Sequence, residues 1–152
     1  MKLKFLGTCA AEGIPALFCD CDTCRHAREH GGKDVRTRSQ ALIDDRILLD
    51  FGPDTLLHCL REKLDISHLE HCLITHVHED HLDVTNVMYR QKGFANLQEG
   101  SLPLTVWGSA ELGEVLHAKE SGGCNRDDSV LFRHIPPLTP AVLQAVSRVS
   151  MR

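Results

Sequence analysis

The sequence has few of the features that place a protein in or on a membrane. No stretch of its 152 residues approaches the roughly 18 apolar residues of a membrane-spanning helix. The first residues, from Met1 to Gly7, become polar too early for the apolar segment of a signal peptide. These absences predict a cytoplasmic protein without a membrane partner.

Positive charge and aromatic side chains are also scarce. Lys and Arg number 17 against 21 Asp and Glu, so the formal net charge is −4, and aromatic residues make up only 5% of the chain. Such a chain has no basic field that would attract nucleic acid over a distance. We therefore expect a small-molecule substrate and no nucleic acid. An anionic substrate would need local positive charge, most simply from metal ions.

Cysteine and histidine, by contrast, are plentiful. The seven cysteines are an odd set, and Cys19, Cys21 and Cys24 lie close together. A reducing cytoplasm disfavours disulfides, so metal binding is the leading interpretation of this cluster. The ten histidines agree with it. The length suits one compact domain, since a chain of this size buries roughly 70% of its unfolded surface, and we predict a single domain over residues 1–152.

The apolar pattern predicts strands and helices in alternation. Two apolar runs over residues 39–44 and 46–50, joined by a tight turn, are typical of a hairpin. After Pro53, leucines recur at helical spacing, and we expect this helix to pack on the sheet. The other predicted elements are strands over residues 2–6, 72–75, 104–107 and 130–134 and helices over 84–92 and 110–119, the last capped by Ser109. This order indicates an α/β (α+β layered) domain.

A dense group of metal-ligand side chains follows the apolar run over residues 72–75. His76, His78, Asp80 and His81 place three imidazoles and a carboxylate within six positions. Imidazole and carboxylate suit divalent ions such as Zn²⁺ or Mn²⁺, and a loop at a strand end can turn these side chains toward one point. Two ions about 3.5–4 Å apart can hold a bridging hydroxide and polarise a phosphoryl or carbonyl oxygen. The group therefore favours hydrolysis over the alternative of a solvated histidine-rich turn.

The pattern His-x-His-x-Asp-His after an apolar strand resembles the metallo-β-lactamase superfamily of metal-dependent hydrolases. The resemblance extends from about Lys2 to Trp107 and includes the segment Leu49 to Asp54. It implies the N-terminal half of an αββα sandwich of two sheets. It also implies that His76 and His78 serve a first metal and that Asp80 and His81 serve a second, with Asp80 as the candidate catalytic residue. Asp50 either orients the metal loop or is an ordinary turn carboxylate.

The three clustered cysteines need one further ligand to complete a tetrahedral zinc site. A structural zinc can order a long loop that packing alone cannot order. Together with Gly13 and Pro15, the cluster resembles the superfamily branch of the cyclic-phosphate phosphodiesterase of phosphonate breakdown. This resemblance implies a structural zinc held by Cys19, Cys21 and Cys24 with a distant histidine. Three reduced thiols remain the alternative, and a redox centre is disfavoured because the setting of a thioredoxin motif is absent.

Other polar residues have weaker interpretations. Arg36, Arg38 and Ser39 can either meet a substrate phosphate or form a solvated face. The isolated Cys59, Cys72 and Cys124 are assigned no chemistry. Six histidines are expected at the surface: His26, His30, His58, His68, His71 and His117.

The superfamily pattern calls for two more histidines and a bridging aspartate far downstream of the first motif. After His81 the only histidines are His117 and His134, and neither has the setting of those later motifs. The residues from Ile135 to Leu138 and the alternation through Val142 and Val149 resemble the strands that precede the next ligand. We therefore expect a C-terminally truncated portion of the fold that offers each ion two ligands.

These observations favour a phosphodiesterase-like hydrolase with two divalent ions and a bridging hydroxide, and low activity of this chain by itself. The rival hypothesis is a zinc-stabilised binding or structural fragment without catalysis. Metal at the histidines as well as at the cysteines would separate the two. Because an uncovered strand edge and apolar face are commonly relieved by pairing with another chain, a homo-oligomer is also expected.

Overall fold

The computed structural model describes residues 1–121 and 128–136, with no side-chain description at 120 and 121. The strands are β1 (Leu3–Gly7), β2 (Gln40–Ile43), β3 (Ile47–Leu49), β4 (His71–Leu73), β5 (Leu104–Gly108) and β6 (Val130–His134). The helices are α1 (Asp22–His30), α2 (Thr55–Glu62), α3 (Val84–Met88) and α4 (Ala110–Ser121), with a short 3-10 turn at Gly32–Asp34. Cys124 and the predicted strands through Pro137, Leu138, Val142 and Val149 lie outside the described residues.

The six strands form one sheet in the order β1-β2-β3-β4-β5-β6. β1, β2 and β3 pair antiparallel, and β3, β4, β5 and β6 pair parallel. The tight connection at Asp44 and Asp45, both with positive φ, makes the predicted hairpin of β2 and β3. The mixed α/β fold class is confirmed, and β4 lies in the middle of the sheet, as its wholly apolar run predicts.

The core lies around the central strands. Leu48 of β3, Cys72 of β4 and Val106 of β5 are almost fully buried, and Leu112 of α4 belongs to the same buried cluster. Burial raises the pKa of the Cys72 thiol, which agrees with a purely apolar role for this cysteine. Ser109 accepts a hydrogen bond from Leu112 N at 3.4 Å, so α4 has the cap that the sequence predicts. None of the helices in the described ranges is both long and apolar enough to cross a membrane.

Helix α2 is present where the leucine spacing predicts it and meets the sheet as expected, but it does so with its polar face rather than with its leucines. Leu56, Leu57 and Leu60 are 70%, 49% and 70% exposed, whereas Thr55 and His58 are buried. The helix meets the β1 side of the sheet through two hydrogen bonds of His58, one with Thr37 and one with Gln40, and through a hydrogen bond that Arg61 donates to Leu6 O. Its sheet-facing surface is therefore polar, and the leucines lie on the outside.

Candidate metal centre

The histidine loop, which carries His76, His78, Asp80 and His81, begins after the carboxyl end of β4. It is held by backbone hydrogen bonds with the segment that follows the neighbouring strand β3. Asp50 N donates to Leu73 O at 2.8 Å, and Phe51 N donates to His81 O at 2.8 Å. Asp83 N donates back to Phe51 O at 2.6 Å. These bonds fix both ends of the loop against the segment that follows β3, so the loop has a defined conformation.

Gly52 allows this close approach of the two segments. A Cβ at residue 52 would lie 2.2 Å from Asp80 O, a distance that would force the backbone apart. Residue 52 must therefore be glycine for a steric reason, because a larger side chain would displace the histidine loop at Asp80. The sequence does not predict this requirement, because Gly52 and Asp80 are far apart along the chain.

Asp50 is the side chain that holds the loop from beneath. It is only 4% exposed and has a left-handed backbone with φ of 64°. Its Oδ1 accepts from Thr75 N at 2.8 Å and from Thr75 Oγ1 at 2.9 Å, and its Oδ2 accepts from His81 Nδ1 at 2.7 Å. A carboxylate on Nδ1 fixes the imidazole so that Nε2 can face an ion. Of the two roles considered for Asp50, this geometry favours orientation of the metal loop.

Three of the four predicted ligand side chains converge. One ligand atom from each of His76, Asp80 and His81 can be chosen so that all lie within 4.8 Å of one another. His81 Nε2 is 3.2 Å from Asp80 Oδ2, and the His76 and His81 rings are 4.1 Å apart between centroids. His78 is not in this group of three, but its ring centroid is 4.7 Å from that of His76. The two histidines of the motif therefore lie together rather than on opposite sides of the sheet.

The cysteine cluster also converges. Cys19, Cys21 and Cys24 bring their sulfur atoms within 4.8 Å of one another. Cys24 lies inside α1 and is buried, so the predicted cysteine loop ends in a helix that begins at Asp22. The N–H of Cys24 and the thiols of Cys19 and Cys24 lower the pKa of Cys21 to about 7. Cys21 is thus partly thiolate near neutral pH, which is the form that binds metal.

Arg38 lies beside the histidine loop, where an open cavity of about 620 Å³ is lined by Arg38, His78 and Asp80. Its guanidinium pairs with the Asp54 carboxylate at 3.0 Å and donates to Ala11 O at 2.8 Å. Arg36 instead contributes its backbone, which pairs with Ile14. Arg38 is therefore held in place at the cavity rather than free in a solvated face.

The surface prediction for the isolated histidines is wrong for His58, which is 1% exposed. His71 is partly buried and accepts from Trp107 Nε1 at 3.3 Å. His26 keeps an exposed side chain and lies near Asp34. In the sequence around His58 the spacing of the leucines is the clearest pattern, and it does not indicate that the histidine is buried.

No family model matches the chain. Among curated proteins, Ribonuclease Z of Listeria welshimeri is 26% identical over 141 residues, which cover 90% of this chain and 40% of that protein. Ribonuclease Z of Listeria innocua is 28% identical over the same length. The chain thus spans about 40% of the length of the curated relatives it matches.

Solved structures show the same fold. A diphosphatase from the PhnP family superposes with a TM-score of 0.66 at 23% identity, over 88% of this chain and 50% of that one. Zn²⁺-bound PqqB from Methylobacterium extorquens gives a TM-score of 0.67 at 20% identity, over 88% and 45% of the two chains. The metallo-β-lactamase fold protein YhfI from Bacillus subtilis gives 0.57 at 16% identity, over 90% and 48%.

These similarities show that the chain has the metallo-β-lactamase fold, which the resemblance of its histidine motif implies. The chain carries the N-terminal portion of that fold. The relatives are named for hydrolytic enzymes, Ribonuclease Z and a diphosphatase.

Proposed function

We propose that this chain contributes to a metal-dependent phosphodiesterase in which His76, His78, Asp80 and His81 hold two divalent ions. The observation that supports the proposal best is the convergence of His76, Asp80 and His81 above the carboxylate of Asp50. Nitrogen and carboxylate oxygen donors at this spacing fit zinc, with manganese as a second candidate. Bound ions would polarise a phosphoryl oxygen and lower the pKa of water.

The chain's own residues supply orientation and charge around that centre. Asp50 holds Nδ1 of His81, so that Nε2 is available on the side of Asp80. Asp80 is the proposed catalytic residue because its carboxylate faces both His81 and the open cavity. Arg38 lines the same cavity and can bind a phosphate oxygen through guanidinium N–H groups that Asp54 does not occupy.

The proposed substrate is a small phosphodiester rather than a nucleic acid, because the chain has a net negative charge. The relatives named Ribonuclease Z make an RNA phosphodiester the second substrate to test. We also propose a cytoplasmic location and a homo-oligomer, the latter supported by the exposed leucines of α2.

Hydrolysis of a generic aryl phosphodiester with added zinc or manganese tests the proposal. We expect slow, metal-dependent turnover that disappears in His78→Ala, with a short RNA cleaved less well. Turnover should be low because the four side chains of this loop offer each ion only two ligands, and among residues 1–121 and 128–136 neither His117 nor His134 belongs to the convergent group. The mass in solution, measured in parallel, should exceed that of one chain.

Metal at the cysteines alone would instead favour the rival hypothesis, a zinc-stabilised fragment without catalysis. In that case the histidine loop would bind no zinc and the His78→Ala variant would match the wild type. Reversible disulfide formation without metal would favour redox chemistry. Rapid turnover by a monomer that disappears in His78→Ala would contradict the expected weakness of the chain.

We expect the cysteine cluster to bind one structural zinc. Three convergent sulfur atoms, one of them in a thiol with lowered pKa, provide most of a tetrahedral site. Removal of the metal should loosen residues 8–30, because metal binding supplies part of the folding free energy of such a segment. Metal analysis of protein purified without chelator, followed by hydrogen exchange with and without zinc, measures both effects.

The matched variants are Cys21→Ala, which should lose this zinc, and Cys59→Ala, which should keep it. Cys59 lies on α2, apart from the convergent group. Free titration of all three clustered thiols in the native, zinc-loaded protein would count against a structural zinc.

A further inference from the structure

A chain of buried polar side chains lies beneath the histidine loop. Gln40, Asp50, Thr55 and His58 are all at most 6% exposed, and Thr37 is 7% exposed. Gln40 Nε2 donates to Asp50 O at 2.9 Å and to Thr55 Oγ1 at 2.8 Å. Its Oε1 is 2.5 Å from His58 Nδ1, and His58 Nε2 is 2.7 Å from Thr37 Oγ1. This connected set joins α2 to the residue that holds the metal loop.

The hydrogen bonds in this set have a defined direction. The Gln40 amide group has two N–H bonds, and both are used by Asp50 O and Thr55 Oγ1. Its Oε1 can only accept, so Nδ1 of His58 must carry a proton. Burial, together with the nearby charge of Arg61, lowers the pKa of His58 and favours the neutral ring. Nε2 then accepts from the Thr37 hydroxyl at 2.7 Å, a shorter contact than the 3.4 Å from that hydroxyl to Leu6 O. The amide of Gln40 cannot rotate without loss of its partners.

Asp50 needs such support because its backbone is left-handed, with φ of 64°, a region that residues with a Cβ rarely adopt. Its N–H is bound by Leu73 O, and its carbonyl is bound by Gln40. These two bonds fix the peptide groups on both sides of Asp50. The direction of its carboxylate toward Thr75 and His81 follows from them.

We propose that His58 and Gln40 are positioning residues for the metal loop, in which His58 fixes the Gln40 amide and Gln40 holds Asp50 in the conformation that meets His81 Nδ1. The effect on metal binding rests on the proposed function. The hydrogen-bond relay, in which His58 binds Gln40 and Gln40 binds Asp50, does not. The hydrogen bonds of His58 and Gln40 lead to the His76, Asp80 and His81 group through Asp50.

Two substitutions at residue 58 separate this role from simple packing. Asparagine carries a donor nitrogen at the δ position, where it can reach Gln40 Oε1, so His58→Asn preserves the relay. Glutamine carries its nitrogen at the ε position, so His58→Gln can satisfy Thr37 but not Gln40. A third variant, Gln40→Glu, replaces the donor of the Asp50 bond by an acceptor. Chemical denaturation identifies the variants that fold.

The first measurement uses the metal-free full chain and the imidazole ¹⁵N–¹H signals. Wild type and His58→Asn should show a slowly exchanging Nδ1–H at His81, and His58→Gln and Gln40→Glu should lose it. In the wild type alone, His58 should be the neutral Nδ1–H tautomer and the Gln40 amide protons should exchange slowly. An Nε2–H tautomer at His58 would overturn the relay even if every variant failed to fold.

The second measurement is cobalt binding, with thiolate charge-transfer bands reporting the cysteine cluster and d–d bands reporting the histidine loop. His58→Gln should weaken cobalt at the histidines by about 10–100-fold, as loss of an outer support typically does, and leave the cysteine cluster unchanged. His58→Asn should restore most of that affinity. Folded His58→Gln with unchanged His81 signals and unchanged cobalt affinity would overturn the inference. If wild type binds no cobalt at the histidines but the His81 signals differ as expected, the proposed function fails and the relay stands.

Discussion

Replacement of Leu48 by alanine is expected to lower the free energy of unfolding by about 2–5 kcal/mol, the usual cost of a cavity in a packed core. Leu48 is 1% exposed and lies in β3, opposite Leu42 of β2 and Cys72 of β4. The chain runs on from Leu48 through Leu49 to Asp50, the residue that is bonded to the histidine loop. Urea denaturation of the full chain measures the change.

The control is Leu60→Ala on α2, which removes the same atoms from a residue that is 70% exposed. We expect a change within about 0.5 kcal/mol, as for most surface substitutions. Similar losses for the two variants would mean that α2 packs through its leucines after all. The pair therefore tests both the core and the orientation of the helix.

The sheet is predictable from the sequence because most of its strands carry a clear local signal. The two apolar runs around Asp44 and Asp45 define the hairpin, and the short apolar run at Cys72 defines the central strand. Helix α3 is shorter than predicted and ends at Met88 rather than near Lys92. Helix boundaries depend on tertiary contacts, and here the backbone turns after Met88, where Gln91 N donates to Met88 O.

The orientation of α2 could not be predicted, because helical spacing gives an apolar face but not the surface that it meets. Leu56, Leu57 and Leu60 form that face, yet the sheet near β1 presents Thr37 and Gln40 to the helix. Hydrogen bonds between polar side chains distant in sequence then decide the packing. Phe94 shows in the same way that an apolar side chain need not be buried, since it is 63% exposed beside Tyr89.

The candidate site is predictable where its side chains lie close together in the sequence. His76, Asp80 and His81 are recognisable from their spacing after a strand, and the structure brings them together. The supports of the loop come from other parts of the chain, such as Gln40, which lies ten residues before the carbonyl that it binds. A motif in one segment carries no information about these long-range partners.

Asp50→Asn is expected to weaken zinc binding at the histidine loop by about 10–100-fold, the usual effect of an altered partner behind a metal-bound histidine. The carboxylate accepts from Thr75 N, Thr75 Oγ1 and His81 Nδ1. An amide has one oxygen, so its NH₂ group must face one of these donors. If it faces His81, Nδ1 becomes the acceptor and the proton moves to Nε2, which can then no longer bind an ion.

If the amide faces Thr75 instead, the N–H of that residue loses its acceptor, and the free energy of unfolding should fall by about 0.5–1.5 kcal/mol, the net contribution of a typical hydrogen bond. Zinc titration, resolved from the cysteine cluster by the Cys21→Ala background, and urea denaturation measure the two outcomes. The matched control is Asp83→Asn, since Asp83 caps α3 through Asn86 N at 3.0 Å and asparagine caps a helix as well as aspartate does. A folded Asp50→Asn protein with unchanged zinc affinity and stability would show that His81 keeps its tautomer without the carboxylate, contrary to the role that the hydrogen bonds assign to Asp50.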